Sequence, residues 1–280
     1  MNSPEETEIK NKPIKRKWLF WLQIVIIIYC GAGIALYYLQ DRFLFHPKKL
    51  DPSHVFVFDV PFEELKIPFN KTDTLSLVKF FPKDSIRKGV ILYYHGNMDN
   101  IERYAGFAAD FTKRGFEVWM PDYPGFGKST GERTEDKMYE QAYQVRRLAE
   151  SAYQADSVII YGKSMGTGIA TYVASTSKQR QLILETPYYS IPDLFSHYAF
   201  MYPTSYMSNY KIPLWRFLKE VKSPVTIFHG TDDGVIPYKS ATKLKQSFKP
   251  SDKFITINEG KHNNLAGFDV YKKAMDSLLQ

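Results

Sequence analysis

The sequence predicts an α/β fold with a mostly parallel sheet, preceded by a single membrane-crossing helix. Three observations lead there. After residue 60, short apolar runs of strand length alternate with segments of helical periodicity, the signature of βαβ units. Runs such as GVILYY, SVIIY and QLILE are apolar almost without a break, as expected of parallel strands buried on both faces. Finally, residues 18–39 form a run of 22 positions without a formal charge.

At 280 residues the chain is long enough for one large domain or two small ones. Apolar residues at 44% and charged residues at 24% are ordinary for a globular protein, which excludes collagen-like and disordered classes. Aromatics, at 16%, are the exception. The single cysteine, Cys30, rules out an internal disulfide and a cysteine-based zinc site. Lys and Arg number 37 against 30 Asp and Glu, a net charge of +7. This favours anionic surfaces without choosing among them. The charge is dispersed and no compact basic-aromatic module is visible, so no nucleic-acid partner is expected.

Residues 1–17 read as a polar tail with five basic groups, Lys10, Lys12, Lys15, Arg16 and Lys17. The uncharged run at 18–39 would measure about 33 Å as a helix, enough to cross a hydrocarbon core about 30 Å thick. Trp18 and Trp21 at one end and Tyr37 and Tyr38 at the other suit headgroup level. The run is longer than the apolar region of a cleavable signal peptide, and its small residues Gly31-Ala32-Gly33 lie inside it. Tyr29 occupies the place where a lipoprotein signal ending at Cys30 would need a small residue. A retained single-pass anchor is therefore expected. Basic residues are more numerous before the span than just after it (Arg42, Lys48, Lys49), which puts the amino end on the cytoplasmic side. The remainder then faces the periplasm or the exterior, or the lumen of a eukaryotic compartment.

Residues 40–60 read as a juxtamembrane connector and 61–280 as one domain. Strands are expected at 54–59, 75–81, 89–95, 116–120, 157–161, 181–185, 224–229 and 253–258, the first two antiparallel at one edge. Helices are expected at 101–114, 135–151, 166–175, 240–248 and 268–279. Between Glu185 and Pro224 lie 38 residues, too many for a simple crossover, and such insertions commonly serve as lids; this one is placed at about 186–222. Nine aromatics fall within 28 residues there, from Tyr188 to Trp215. They read equally as a small core packing the lid onto the sheet and as an amphipathic wall for an acyl chain or a membrane interface.

The sharpest chemical motif is Gly162-Lys163-Ser164-Met165-Gly166, between an apolar strand and a helix-compatible segment. That setting is what a nucleophile elbow requires: a tight turn lifts the serine hydroxyl above the sheet, and flanking glycines tolerate strained backbone and close packing. GKS does not complete a phosphate-binding loop, because the stretch before it is strand and lacks the required glycine. A serine nucleophile needs a base, and the base needs a carboxylate to orient it. Both belong at the carboxyl ends of later strands. His262 follows KFITIN, and Asp232 and Asp233 follow PVTIFH. Asp233 is preferred as the acid, with Asp193 as an outside alternative. The backbone amides of Asn97, in the loop His95-Gly96-Asn97, and of Met165 are the expected donors to an oxyanion. His95 reads better as a brace for that loop than as a catalytic group, and the loop at 122–127 reads as a tight turn without chemistry. The six histidines include no pair at ligand spacing on one helix, so neither metal nor cofactor is expected.

Together the stretches YYLQDRFLFHP, YYHGNMDN, PDYPGFGKSTG, YGKSMGTGIA, LILETPYYS, HGTDDGVIP and GKHNN resemble the membrane-anchored α/β-hydrolases of the serine aminopeptidase-related group. They are spread over residues 37–265, so the likeness is fold-wide. It implies an α/β-hydrolase fold, with a mostly parallel eight-stranded sheet flanked by helices and a lid inserted after strand 6, and it places the acid on Asp233. Between Tyr188 and Trp215 the chain departs from the family, lacking its usual run of acidic and basic residues. The activity implied is cleavage of a carboxylic ester or thioester through an acyl-enzyme, with small-molecule or lipid-like acyl substrates. In it Ser164 attacks, His262 moves the proton, Asp233 orients the imidazole, and the Asn97 and Met165 amides hold the oxyanion. A peptidase or amidase of the same fold and a non-catalytic hydrolase-fold scaffold are the alternatives, and the sequence does not indicate an oligomeric state.

Overall fold

The computed structural model describes residues 14–84 and 87–280. Most of the tail expected over residues 1–17 lies outside the described residues. The chain divides after Asp41 into two compact units. Residues Ile14–Leu44 form one helix, α1, whose Lys17–Leu44 portion is long and apolar enough to cross a membrane. Trp18, Ile27 and Ile28 are among its exposed side chains. A helix suits such a segment because all backbone polar groups are bonded within it, whatever the apolar side chains face.

Among the described residues of the second unit, eight strands form one sheet. They are β1 (Phe62–Pro68), β2 (Thr74–Phe80), β3 (Gly89–Tyr94), β4 (Phe116–Pro121), β5 (Val158–Lys163), β6 (Gln181–Glu185), β7 (Val225–Gly230) and β8 (Lys253–Ile257). Their lateral order is β1-β2-β4-β3-β5-β6-β7-β8. Strand β2 runs antiparallel to both neighbours and the other pairs are parallel. Every residue of β3 through β7 is buried, which is why these strands are mostly apolar rather than alternating.

The helices after α1 are α2 (Ile101–Thr112), α3 (Glu135–Glu150), α4 (Gly166–Thr176), the helices inserted between β6 and β7, α5 (Ile191–Tyr198), α6 (Thr204–Met207) and α7 (Leu214–Glu220), then α8 (Tyr238–Thr242) and α9 (Asp269–Leu278). Ile101 and Phe111 of α2 and Met275 of α9 pack with Ile91, Tyr161 and Ile183 on one face of the sheet. Met138 and Val145 of α3 and Ile169 and Val173 of α4 pack with Leu92, Ile160 and Leu182 on the other. Each fully buried large aliphatic side chain contributes about 1.5–3 kcal/mol. The ends are set by polar caps: Asn100 and Thr134 accept the amides of Glu102 and Lys137, opening α2 and α3.

The segment 54–59, expected as a strand, is not one. Val55 and Val57 are 75% and 85% exposed while Phe56 is buried, and the segment joins no ladder among the described residues. Phe58 lies on Phe56, Phe62 and Phe80 at 5.4, 4.9 and 5.1 Å between ring centroids. Alternation there marks aromatic docking of an extended segment. The edge strand is instead β1, FEELKIP, and the helix expected at 240–248 is the short α8 followed by a 3-10 stretch, Lys243–Ser247. In the segment between β6 and β7, Tyr188 and Tyr210 are buried and Tyr189 stacks on Trp215, whereas Tyr198, Phe200 and Tyr206 are exposed. The aromatics of this segment thus divide between packing and surface.

Candidate active site

Strand β5 gives way to α4 within two residues, Ser164 and Met165. The turn holds Ser164 at φ +53°, in the left-handed region that side-chain-bearing residues adopt at a cost. The flanking glycines make the turn feasible. A Cβ on Gly162 would lie 2.7 Å from the Cβ of Ala170, and one on Gly166 would lie 2.1 Å from the carbonyl oxygen of Tyr94. Helix α4 therefore lies against β5 and the end of β3 only because both positions lack a side chain. The Ser164 amide donates to the Glu185 carbonyl at 2.9 Å, tying the turn to β6.

Asp233 follows β7 and His262 follows β8, and the structure brings both side chains to Ser164. His262 Nε2 lies 2.9 Å from Ser164 Oγ, and Nδ1 lies 2.8 Å from Asp233 Oδ2. Assigning the proton to Nδ1, where the carboxylate accepts it, leaves Nε2 as the acceptor for the serine hydroxyl. The other oxygen of Asp233 accepts the Val235 and Ile236 amides, each at 2.8 Å. Burial pushes the Asp233 carboxyl up, but His262 and the two amides outweigh it and hold it below its ordinary value. The other carboxylates considered are engaged elsewhere: Asp232 accepts the Thr231 hydroxyl, and Asp193 accepts that of Ser240 and pairs with Lys243.

The loop after β3 runs beside the serine, since a Cβ on Gly96 would lie 3.6 Å from Ser164 Cβ. Asn97 lines the same cleft while its side chain donates to the Leu44 carbonyl at 2.7 Å. Met165 stands at the opening of α4, where backbone amides have no partner within the helix. His95 is fully buried, with its ring against Tyr104 and Tyr123, Nδ1 2.7 Å from the Gly96 carbonyl and Nε2 3.3 Å from Asp122 Oδ1. A ring so enclosed braces the loop. Burial raises the Asp122 carboxyl, and its Oδ1 also accepts the Ile101 amide that opens α2. The 122–127 turn thus supplies the partner of His95, a role its sequence does not signal.

Sequence reasoning also misses Lys163 and Glu185. They are register partners across β5 and β6, with side chains 4% and 2% exposed. Lys163 Nζ donates to Glu185 Oε1, and Glu185 Oε2 accepts the hydroxyls of Tyr161 and Tyr271. Burial works to raise the Glu185 carboxyl, yet the Lys163 charge and the three hydrogen bonds prevail and hold it low. The available signal was a glutamate closing an apolar strand, at the end where this architecture gathers its site residues. His229 is also buried here, with Nε2 3.0 Å from the Ile236 carbonyl and 3.4 Å from Asp233 Oδ2, and burial lowers its pKa.

Ser164 and His262 open onto a cleft of about 350 Å³, also lined by Asn97, Arg103, Lys163 and Val235. Among the described residues, no group of three or more His, Cys, Asp or Glu side chains is arranged to hold a metal ion.

Residues 85–217 match the family model of the serine aminopeptidase, S33. Alpha/beta hydrolase domain-containing protein 17B of Homo sapiens is 26% identical over 201 residues, 69% of this chain and 66% of that protein. Lysophosphatidylserine lipase ABHD12 of Rattus norvegicus is 28% identical over 192 residues, 59% of this chain and 46% of that protein. The matches thus span about half to two-thirds of the length of these curated relatives. The solved structure of the esterase Pf2001 of Pyrococcus furiosus has the same fold, with a TM-score of 0.66 at 16% identity, covering 84% of this chain and 96% of that one. Family match, relatives and sheet order converge: the chain has the α/β-hydrolase fold, and its residues 85–217 are similar to the serine aminopeptidase S33-related family.

Proposed function

We propose that the chain is a serine hydrolase that cleaves carboxylic esters or thioesters, lipid-like ones included, through an acyl-enzyme. The observation that carries this reading is the hydrogen-bonded series Ser164–His262–Asp233 at the mouth of a cleft. Ser164 Oγ attacks the substrate carbonyl as its proton passes to His262 Nε2, and Asp233 stabilises the imidazolium that forms. The oxyanion is received by the amides of Asn97 and Met165. Collapse expels the alcohol or thiol, which takes the proton from His262; water then repeats the sequence and frees the acid. Met98, Phe107 and Val235 give the cleft apolar wall for an acyl chain, and the relative from Rattus norvegicus is named a lysophosphatidylserine lipase. A fluorophosphonate probe is expected to label the folded chain, with mass spectrometry placing the adduct on Ser164. A folded chain that resists the probe overturns the proposal.

The helix α1 serves in this reading as a membrane anchor, its amino end cytoplasmic and the hydrolase on the far side. The length and apolar character of Lys17–Leu44 and the basic excess before it support this. Alkaline phosphatase fused after Gln280 is expected to be active in a bacterial host, and an expressed but inactive fusion reverses the orientation.

A further inference from the structure

We propose that the substrate carries an anionic group, a carboxylate or a phosphate, within a few bonds of the scissile carbonyl, and that Arg103 and Lys163 receive it. The inference deepens the reading of Ser164 as nucleophile and rests on it. The described residues lining the cleft include both cations together with Ser164 and His262, but no carboxylate. Neither counter-ion lines the cleft. Glu185, which holds Lys163, is 2% exposed and does not line the cleft. Asp99 holds Arg103 at 2.8 Å in a pair whose side chains are 44% and 38% exposed for Arg103 and Asp99. Pairs that open to water are worth little, so a substrate anion can take over the guanidinium without a large loss.

Lys163 is the more informative of the two. A buried ion pair is a weak stabilising device, because apolar residues of similar volume often do as well. Here the ammonium stands on the residue before the nucleophile, over the Phe107 ring at 5.2 Å, in a low-dielectric wall that water screens poorly. Of its three donors the Glu185 carboxylate takes one. The cleft therefore combines one exposed, forked cation with one buried, ion-paired cation on the residue before Ser164, a combination suited to a carboxylate or phosphate rather than to a neutral polyol.

The test compares kcat/KM for esters of one acyl length that differ in charge. A monoacylglycerol is set against lysophosphatidic acid, which places phosphate on the alcohol side. The diester of a dicarboxylic acid is set against its monoester, which places carboxylate on the acyl side. In at least one pair the anionic ester is expected to be preferred by about tenfold or more, through KM chiefly, with the preference shrinking at high salt. The pair that responds identifies the side. Arg103→Gln is expected to remove most of that preference, and Arg114→Gln, which breaks an ion pair with Asp276 away from this cleft, to retain it. Lys163→Met combined with Glu185→Gln tests the second cation without stranding a buried charge. Equal kcat/KM for charged and neutral esters, or a preference untouched by Arg103→Gln, in a chain fully titrated at Ser164 by fluorophosphonate, overturns this inference and leaves the nucleophile standing. A folded chain that is not titrated removes the nucleophile reading itself.

Discussion

Ser164→Ala is expected to lower kcat for any ester the chain turns over by about 10⁴- to 10⁶-fold, with the melting temperature almost unchanged. Alanine keeps the Cβ, so the backbone at φ +53° bears the same strain, and only the hydroxyl and its 2.9 Å contact with His262 are removed. His262→Ala should cost nearly as much, because the hydroxyl without its base is almost as inert as no hydroxyl. The double variant should then be little worse than either single one, since groups that act as a unit lose their effect together. Steady-state kinetics on the three variants decides it. Losses that multiply in the double variant would show two side chains acting independently.

Glu185→Ala is expected to destabilise the hydrolase domain by about 3–5 kcal/mol, read as a shift in the urea midpoint. The substitution leaves the Lys163 ammonium and the hydroxyls of Tyr161 and Tyr271 without their acceptor in a fully buried site. Glu185→Gln keeps an acceptor for the tyrosines but strands the ammonium, so it should remain strongly destabilised. Adding Lys163→Met removes the stranded charge and should restore most of the loss, a coupling that a double-mutant cycle measures. Acidity reports on the same group. Its folded pKa lies below the ordinary 4.5, so the stability it contributes is full above that value and disappears as pH falls through the lowered folded value. Asp233 behaves likewise relative to 3.8. Wild-type stability should therefore fall steeply below about pH 4, and less steeply once Glu185 is replaced. Parallel pH profiles for the two chains would refute the account.

The interior of the sheet is legible because burial leaves one signature: β3 to β7 carry apolar runs without strict alternation, broken only by a few buried polar or charged residues such as Glu117, Lys163, Gln181, Glu185 and His229. The edge is not legible. Strand β1 carries Glu63 and Lys66 toward water and pairs Glu64 with the buried Lys128, while HVFVFD alternates like a strand yet only docks Phe56 and Phe58. Ser164, Asp233 and His262 stand out because each follows an apolar strand and the chemistry calls for all three. Lys163 with Glu185, and His95 with Asp122, could not be paired from the sequence. Each pair depends on which strands lie side by side: β5 beside β6 for the first, β3 beside β4 for the second. A lysine or glutamate read singly is assigned to the surface, where such residues mostly lie. Arg103 is passed over for the same reason, being one charged residue on an amphipathic helix until the cleft shows what it faces.

The contact between Ser164 and His262 joins residues 98 positions apart, and that between His262 and Asp233 joins residues 29 apart. Contacts of long sequence separation demand that the intervening chain first be closed into a loop. Neither contact exists until the ends of β5, β7 and β8 stand in line. In the proposed mechanism Ser164 therefore gains its base only once these strand ends are assembled. On that proposal, acylation of Ser164 by a fluorophosphonate would serve as a clock for that assembly in a refolding chain, and a nascent polypeptide that has not yet reached residue 262 would lack the proposed base.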